Sequence, residues 1–225
     1  MIFGKIDYLN LLPFHVFLKK YPLQSGIKKS IEFKKDVPSK LCKMLYNRRV
    51  DAAIISSVES RRKKYQKLNM GIVAKRDVKS VLVRKNSTKK LDPASKTSNM
   101  LSKVLNLNGE VIIGDNALKA YLLDGGENFY DMGQIWRAKT NLPFVFAVFC
   151  LTSSKSSYEK IVKSFLKTNV KIPTYILNNY AKSRNIGSKD ILWYLKFIGY
   201  KLEKKEKISL NLYLRKAREL YFNPN

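Results

Sequence analysis

Histidine occurs once, at His15, and cysteine twice, at Cys42 and Cys150. So few soft and nitrogen ligands leave no cluster with metal-site spacing. His15 lies among Phe14, Val16 and Phe17 on a helix-type stretch. That setting suits a packed or partly exposed helix histidine better than the base of a Ser-His-Asp arrangement. The two cysteines are far apart, and no basic start, apolar stretch and cleavage site opens the chain. Both therefore read as free, buried thiols in a reducing compartment, and the expected location is cytoplasmic. Glycine is present ten times but never as a phosphate loop or dinucleotide fingerprint. No apolar run reaches the ~20 residues of a membrane-spanning helix. Zinc-finger, RRM and helix-turn-helix signatures are missing as well.

Acidic residues are also scarce, with 17 Asp+Glu against 44 Lys+Arg and a net charge of +27. That balance attracts anions: nucleic acid, an acidic membrane surface or a multiply charged small acid. The cations are scattered, however, as on a solvated surface. The densest runs are Arg61–Lys64 and Lys201–Lys207, and Glu203 and Glu206 interrupt the second. Tyrosine and phenylalanine fall mostly at core spacing, not as a stacking platform for bases. On charge alone these three kinds of partner stay open. Hydrophobic residues make up 45 % of 225 positions, enough for one large domain or two small ones.

Strand and helix patterns alternate along the chain. Ile2, Phe3 and Ile6 read as a strand, and Pro13 suits the first turn of the helix that follows. Leu41, Met44 and Leu45 recur at helical spacing after Pro38, and Val50–Ile55 reads as a strand buried on both faces. A hydroxyl-rich loop, Ser56–Ser60, and a basic helix, Arg61–Leu68, come next, then strands at Gly71–Ala74 and Val78–Val83, with Ser80 inside the latter. Ser95–Ser98 precedes a helix bearing Met100, Leu101, Val104 and Leu105. Val111–Ile113 is a strand, and Gly114–Ala117 turns it into the helix Leu118–Leu123. Leu142–Phe149 is the longest apolar run and reads as a central strand. The remainder reads as helix: an amphipathic one from Ser157, then Pro173–Ser183, Ser188–Ile198 and Ser209–Tyr221. The alternation predicts an α/β protein with parallel strands.

Polar turns follow strands four times, at Asn10, at Ser56, at Thr97 or Ser98, and at Asn116. In open α/β sheets ligands bind beyond the strand ends, so four such turns around one cleft suit a small polar ligand. Two uses stay open at each. Asn10 can cap a helix or hold a polar group with its donor and acceptor. Thr97 and Ser98 can cap their helix or, with its first N–H groups, bind a carboxylate or phosphate.

The ordered set of segments resembles the MqnA family, the chorismate dehydratases of the futalosine route to menaquinone. It comprises Gly4-Lys5-Ile6-Asp7-Tyr8-Leu9-Asn10 with Pro13-Phe14, then Val50–Glu59, Ser80–Val83 and Ser95–Ser98. Ile113–Leu118, Tyr130–Gly133, Trp136, Thr140 and Leu142–Phe149 complete it. The resemblance implies an α/β, two-lobed type II periplasmic-binding-protein-like fold with a central ligand cleft. Crossings near Ser80 and Val145 would make one lobe of residues 1–80 with 147–225 and the other of 81–146. The resemblance further implies conversion of chorismate, a dianion, to 3-[(1-carboxyvinyl)oxy]benzoate with no cofactor and no metal. It makes that small dianionic acid the expected partner, with no nucleic acid and no membrane. In that scheme Asn10 and Ser80 lie at the reacting ring and its hydroxyl. Thr97 and Ser98 hold one carboxylate, Ser56 and Ser57 add donors from the other lobe, and Asp115 or Asn116 lines the wall. Asp115 could be a base or cap the helix after it, and the substrate's own enolpyruvyl carboxylate is the other candidate base. A non-catalytic binding protein or sensor for a small carboxylic acid would use the same clamp.

Overall fold

The computed structural model describes residues 2–153 and 155–222, without the side chains of Ser30, Glu32, Phe33, Lys155, Tyr221 and Phe222. The chain opens as β1 (Phe3–Gly4), passes a 3-10 turn at Leu9–Leu11, and enters α1 (Leu12–Lys20) with Pro13 in its first turn. Then come α2 (Ser25–Phe33), α3 (Pro38–Tyr46), β2 (Ala52–Ser56), α4 (Ser57–Ser60) and β3 (Gln66–Ala74). A second group follows: β4 (Val81–Arg84), α5 (Lys96–Val104), β5 (Glu110–Ile113), α6 (Gly114–Asp124), β6 (Phe129–Asp131) and α7 (Met132–Thr140). The chain ends with β7 (Phe144–Leu151), α8 (Lys155–Lys167), α9 (Thr174–Arg184), α10 (Ser188–Leu195), β8 (Ile198–Lys201) and α11 (Lys204–Phe222).

Among the described residues these strands form a five-stranded sheet, β1-β2-β7-β3-β8, and a three-stranded sheet, β5-β4-β6. The chain leaves the large sheet along β3 and returns beside it along β7, so those two strands must run antiparallel. Among the strands of the described residues β1 and β2 alone pair in parallel, and the expectation of a parallel sheet is corrected on this point. Continuous apolar runs report burial on both faces, and β2 and β7 are buried throughout, whichever way their neighbours run. The change of sheet falls between Ala74 and Val81 and between Asp131 and Phe144. Phe144 and Val145 already pair with Ala74 and Val73, so they belong to the large sheet.

Aromatic packing fixes helices along one face of β7. Trp136 of α7 and Tyr213 of α11 meet Phe144 edge-on, at centroid distances of 5.2 and 4.9 Å, and Trp136 Nε1 donates to Ser209 Oγ at 2.9 Å. Further along the strand Phe149 packs on Phe3, Phe14 and Tyr158. Each such buried ring contributes roughly 1.5–3 kcal/mol through lost contact with water.

Four local expectations are corrected. Ser56–Ser60 is no open loop: Ser56 caps α4, its Oγ accepting Glu59 N–H. Arg61–Leu68 is not helical: the chain turns after α4, with Arg62 paired back to Glu59, and Gln66–Leu68 already belongs to β3. Ser80 stands just before β4 instead of inside it. The Asp131 carboxylate accepts the amides of Val78 and Lys79, and Lys79 sits at φ 57°, so the backbone turns there. Ile198 and Gly199 belong to β8, not to a helix end.

Candidate active site

A cleft lies between the two sheets where several strands and helices end. Asn10 enters it from the turn after β1, Ser56 from the end of β2 and Ser80 from the start of β4, with Ser95 and Ser98 from the start of α5. Tyr8, Ile72, Phe146 and Gly114 supply the walls. Gly114 has φ +66°, and a Cβ there would stand 2.9 Å from the Tyr8 ring, so glycine is required for the wall to close. The free space amounts to about 50 Å³.

Asn10 is buried, and its Oδ1 has no hydrogen-bond partner among the described residues. Its backbone carbonyl accepts from Tyr200 Oη of β8 at 2.6 Å. Ser80 Oγ lies 2.8 Å from the hydroxyl of Tyr194, a fully buried residue of α10. Burial pushes the Tyr194 phenol well up, and its hydrogen bond with Ser80 opposes the rise. At the start of α5, Ser95 caps the helix by accepting Ser98 N–H at 3.1 Å, and the two hydroxyls sit 2.8 Å apart. The earliest amides of that helix have no acceptor within it, and its positive end lies where Ser95 and Ser98 line the cleft.

The other expected site residues stand behind this layer. Ser57 donates to Val145 O at 2.5 Å, and so anchors α4 to β7. Thr97 accepts Val58 N–H through Oγ1 and Tyr213 Oη through its carbonyl. Asp115 accepts Leu9 N–H at 2.9 Å through Oδ1 and Arg184 Nε at 3.0 Å through Oδ2. Burial raises its pKa, and these partners oppose the rise. Asn116 is exposed on α6. None of the four lines the cleft. Among the described residues the lining holds no carboxylate, imidazole, ammonium or guanidinium group. Its one titratable group is Tyr8, whose phenol burial, Asp92 and Asp115 push up to about 12. A roomier hollow of about 400 Å³ between α4 and α5, with Arg61, Arg62, Lys96 and Lys103 at its rim, lies away from the strand ends.

The sequence profile of a family described as menaquinone biosynthesis matches residues 1–110 and 98–219. The chain belongs to the menaquinone biosynthesis family. A chorismate dehydratase of Campylobacter jejuni subsp. jejuni serotype O:23/36 (strain 81-176) is 54% identical over 221 residues, covering 98% of this chain and 99% of that protein. Among solved structures, a protein from Archaeoglobus fulgidus aligns with TM-score 0.69 at 12% identity, over 98% of this chain and 97% of its own. The periplasmic aliphatic sulphonate binding protein SsuA of Escherichia coli aligns with TM-score 0.56 at 11% identity, over 100% and 93%. At such identities these two show the fold, which is periplasmic-binding-protein-like as the resemblance implied.

Sequence reasoning missed three tyrosines around the site of this menaquinone biosynthesis family member. Tyr8 stands inside the first quoted motif, between Asp7 and the expected ligand Asn10, and that neighbourhood was its one signal. Tyr194 and Tyr200 sit among apolar residues at core spacing near the C-terminus, where nothing local distinguishes a supporting phenol from a packed ring.

Proposed function

We propose that the chain is a chorismate dehydratase, a hydro-lyase that converts chorismate to 3-[(1-carboxyvinyl)oxy]benzoate in menaquinone biosynthesis. The observation that carries this reading is the gathering of Asn10, Ser56, Ser80 and Ser98, neutral hydrogen-bonding side chains from both sheets, around one cleft. The 54% identity to a chorismate dehydratase supports the substrate.

The reaction removes the proton from the ring carbon bearing the enolpyruvyl ether and the hydroxyl from the neighbouring carbon, and aromatisation drives it. The start of α5, with Ser98, binds one carboxylate through helix N–H groups and hydroxyl. Ser56 adds a donor from the other side. The leaving hydroxyl donates its hydrogen to the unpartnered Asn10 Oδ1 and accepts from Ser80 Oγ–H. In this scheme the substrate's enolpyruvyl carboxylate takes the ring proton. Asp115 is spoken for by Leu9 and Arg184 and is not assigned as base. The C–O bond electrons leave with oxygen, which takes up that proton and departs as water. Orientation and preorganised donors supply the catalysis.

The free space of about 50 Å³ is well below the roughly 300 Å³ of an ordinary ligand pocket, so the sheets part to admit the substrate. Incubation with chorismate, with chromatographic detection of the substituted benzoate, tests the reading. Turnover that is lost in Asn10→Leu and Ser80→Ala supports it. Tight chorismate binding without product would favour a sensor for small carboxylic acids, a role that a lining without ionised groups also permits.

A further inference from the structure

We propose that Tyr194 is a positioning residue for the dehydration step, aiming the Ser80 hydroxyl through the hydrogen bond between their two oxygens. This inference rests on the dehydratase reading.

Tyr194 Oη lies 2.8 Å from Ser80 Oγ, inside the protein and behind the cleft lining, whereas Ser80 itself lines the cleft. With the Tyr194 hydrogen on Ser80 Oγ, Ser80 has its acceptor side occupied from behind and its own hydrogen left for the cleft. The chain then runs from Tyr194 Oη–H through Ser80 Oγ–H to the substrate. Asn10 Oδ1, on the same lining and buried without a partner among the described residues, serves as the acceptor that faces the substrate.

The surroundings hold this chain still. Asp131 accepts the amides of Val78 and Lys79 just before Ser80, and Gly114 N–H donates to Ser80 O at 2.8 Å, which fixes its backbone. The serine χ1 torsion alone has three staggered choices, and Tyr194 selects among them. Tyr200 Oη fixes the Asn10 carbonyl at 2.6 Å. Two phenols of the C-terminal segment therefore brace the two residues that meet the leaving hydroxyl. Burial keeps the Tyr194 phenol neutral throughout the neutral pH range, so its hydrogen stays available to Ser80.

The test is Tyr194→Phe, alone and combined with Ser80→Ala, in the full-length protein. Tyr194→Phe keeps the ring and removes the oxygen. The expected result is a kcat lowered about 10- to 100-fold, with KM within about threefold and an unchanged circular-dichroism spectrum. In the Ser80→Ala background the same change should cost less than about threefold more, since Tyr194 acts through Ser80. Wild-type kcat in Tyr194→Phe, or losses that multiply in the double variant, would overturn the proposal. If Tyr194→Phe does not fold, 3-fluorotyrosine incorporated at position 194 keeps ring and hydroxyl while strengthening donation. A shifted kcat then supports the chain, and an unshifted one overturns it. Wild-type turnover in the same assay separates the two claims: its absence overturns the dehydratase reading and this inference together, whereas its presence with an indifferent Tyr194 overturns this inference alone.

Discussion

Arg184 and Asp115 meet at 3.0 Å, Nε to Oδ2, and each also holds the loop that carries Asn10. Arg184 Nη2 donates to Asp7 O at 3.0 Å, and Asp115 Oδ1 accepts Leu9 N–H at 2.9 Å. Asp115 starts α6 beside the small sheet, while Arg184 ends α9, so the pair joins the two sides of the cleft at the loop Asp7–Asn10.

Arg184→Ala should therefore weaken both fold and turnover. Leaving a largely buried carboxylate with one donor costs about 1–3 kcal/mol, read as a lower urea midpoint. A loosened Asn10 loop should lower kcat by roughly tenfold or more, because small displacements of a positioned group are costly in rate. Normal stability and turnover in Arg184→Ala would show that the loop needs no such clamp.

His15 predicts a pH effect on stability. It is buried, neither ring nitrogen has a partner among the described residues, and its pKa lies well below 6.5 through burial first and then Lys5, Lys19 and Arg184. The unfolded chain takes up this proton near pH 6.5, and the folded one does so only at much lower pH. More protons bound when unfolded means that stability rises with pH. The contribution of His15 is whole above pH 6.5 and is lost as pH falls below it, by at most about 1.4 kcal/mol per unit. His15→Leu should flatten that slope between pH 6.5 and 5 in urea titrations, with stability at pH 7.5 unchanged or raised by up to about 1 kcal/mol. An equal slope in both proteins would refute it.

Asp131 is buried and serves two purposes at once. It caps α7 through Gly133 and Gln134 N–H and captures Val78 and Lys79 N–H ahead of Ser80. Asp131→Ala removes a cap and strands buried amides, with an expected loss of about 2–4 kcal/mol. Hydrogen exchange should show faster exchange at residues 78–80 than at β7. If the variant melts like the wild type, the cap and the turn have other support.

Ser57 and Ser80 should differ in what they do for catalysis. Ser57→Ala leaves Val145 O without its hydroxyl donor and should cost about 1–2 kcal/mol in stability, while KM for chorismate changes less than about twofold. Ser80→Ala should instead lower kcat by about 100-fold, and by leaving the buried Tyr194 hydroxyl without its partner it should also cost about 1–2 kcal/mol in stability. A large KM change in Ser57→Ala would return Ser57 to the binding surface.

Much of this was legible in the chain because it depends on near neighbours. Pro13 inside the first turn of α1, Ser95 before α5 and the apolar run of β7 each announce themselves within a few residues. The strand-tip positions Asn10, Ser56, Ser80 and Ser98 follow from those elements, and the structure brings all four to one cleft. Strand direction was not legible, since burial on both faces writes the same apolar run for either direction. The short edge strand β8 was hidden by the helical pattern before it. Ser57, Thr97 and Asp115 carry the same chemistry as the lining residues. What sets them apart is whether a backbone group or a guanidinium from elsewhere claims their polar atoms first.

The sequence by itself determined the elements and the supply of neutral donors at their ends, because helix starts, turns and burial patterns are set by local sterics and hydrogen bonding. Only the tertiary structure decided which of those donors remain open to a ligand. Tyr194 meets Ser80 across 114 positions and Arg184 meets Asp115 across 69, distances over which no local rule acts and only the packed chain brings one residue to another.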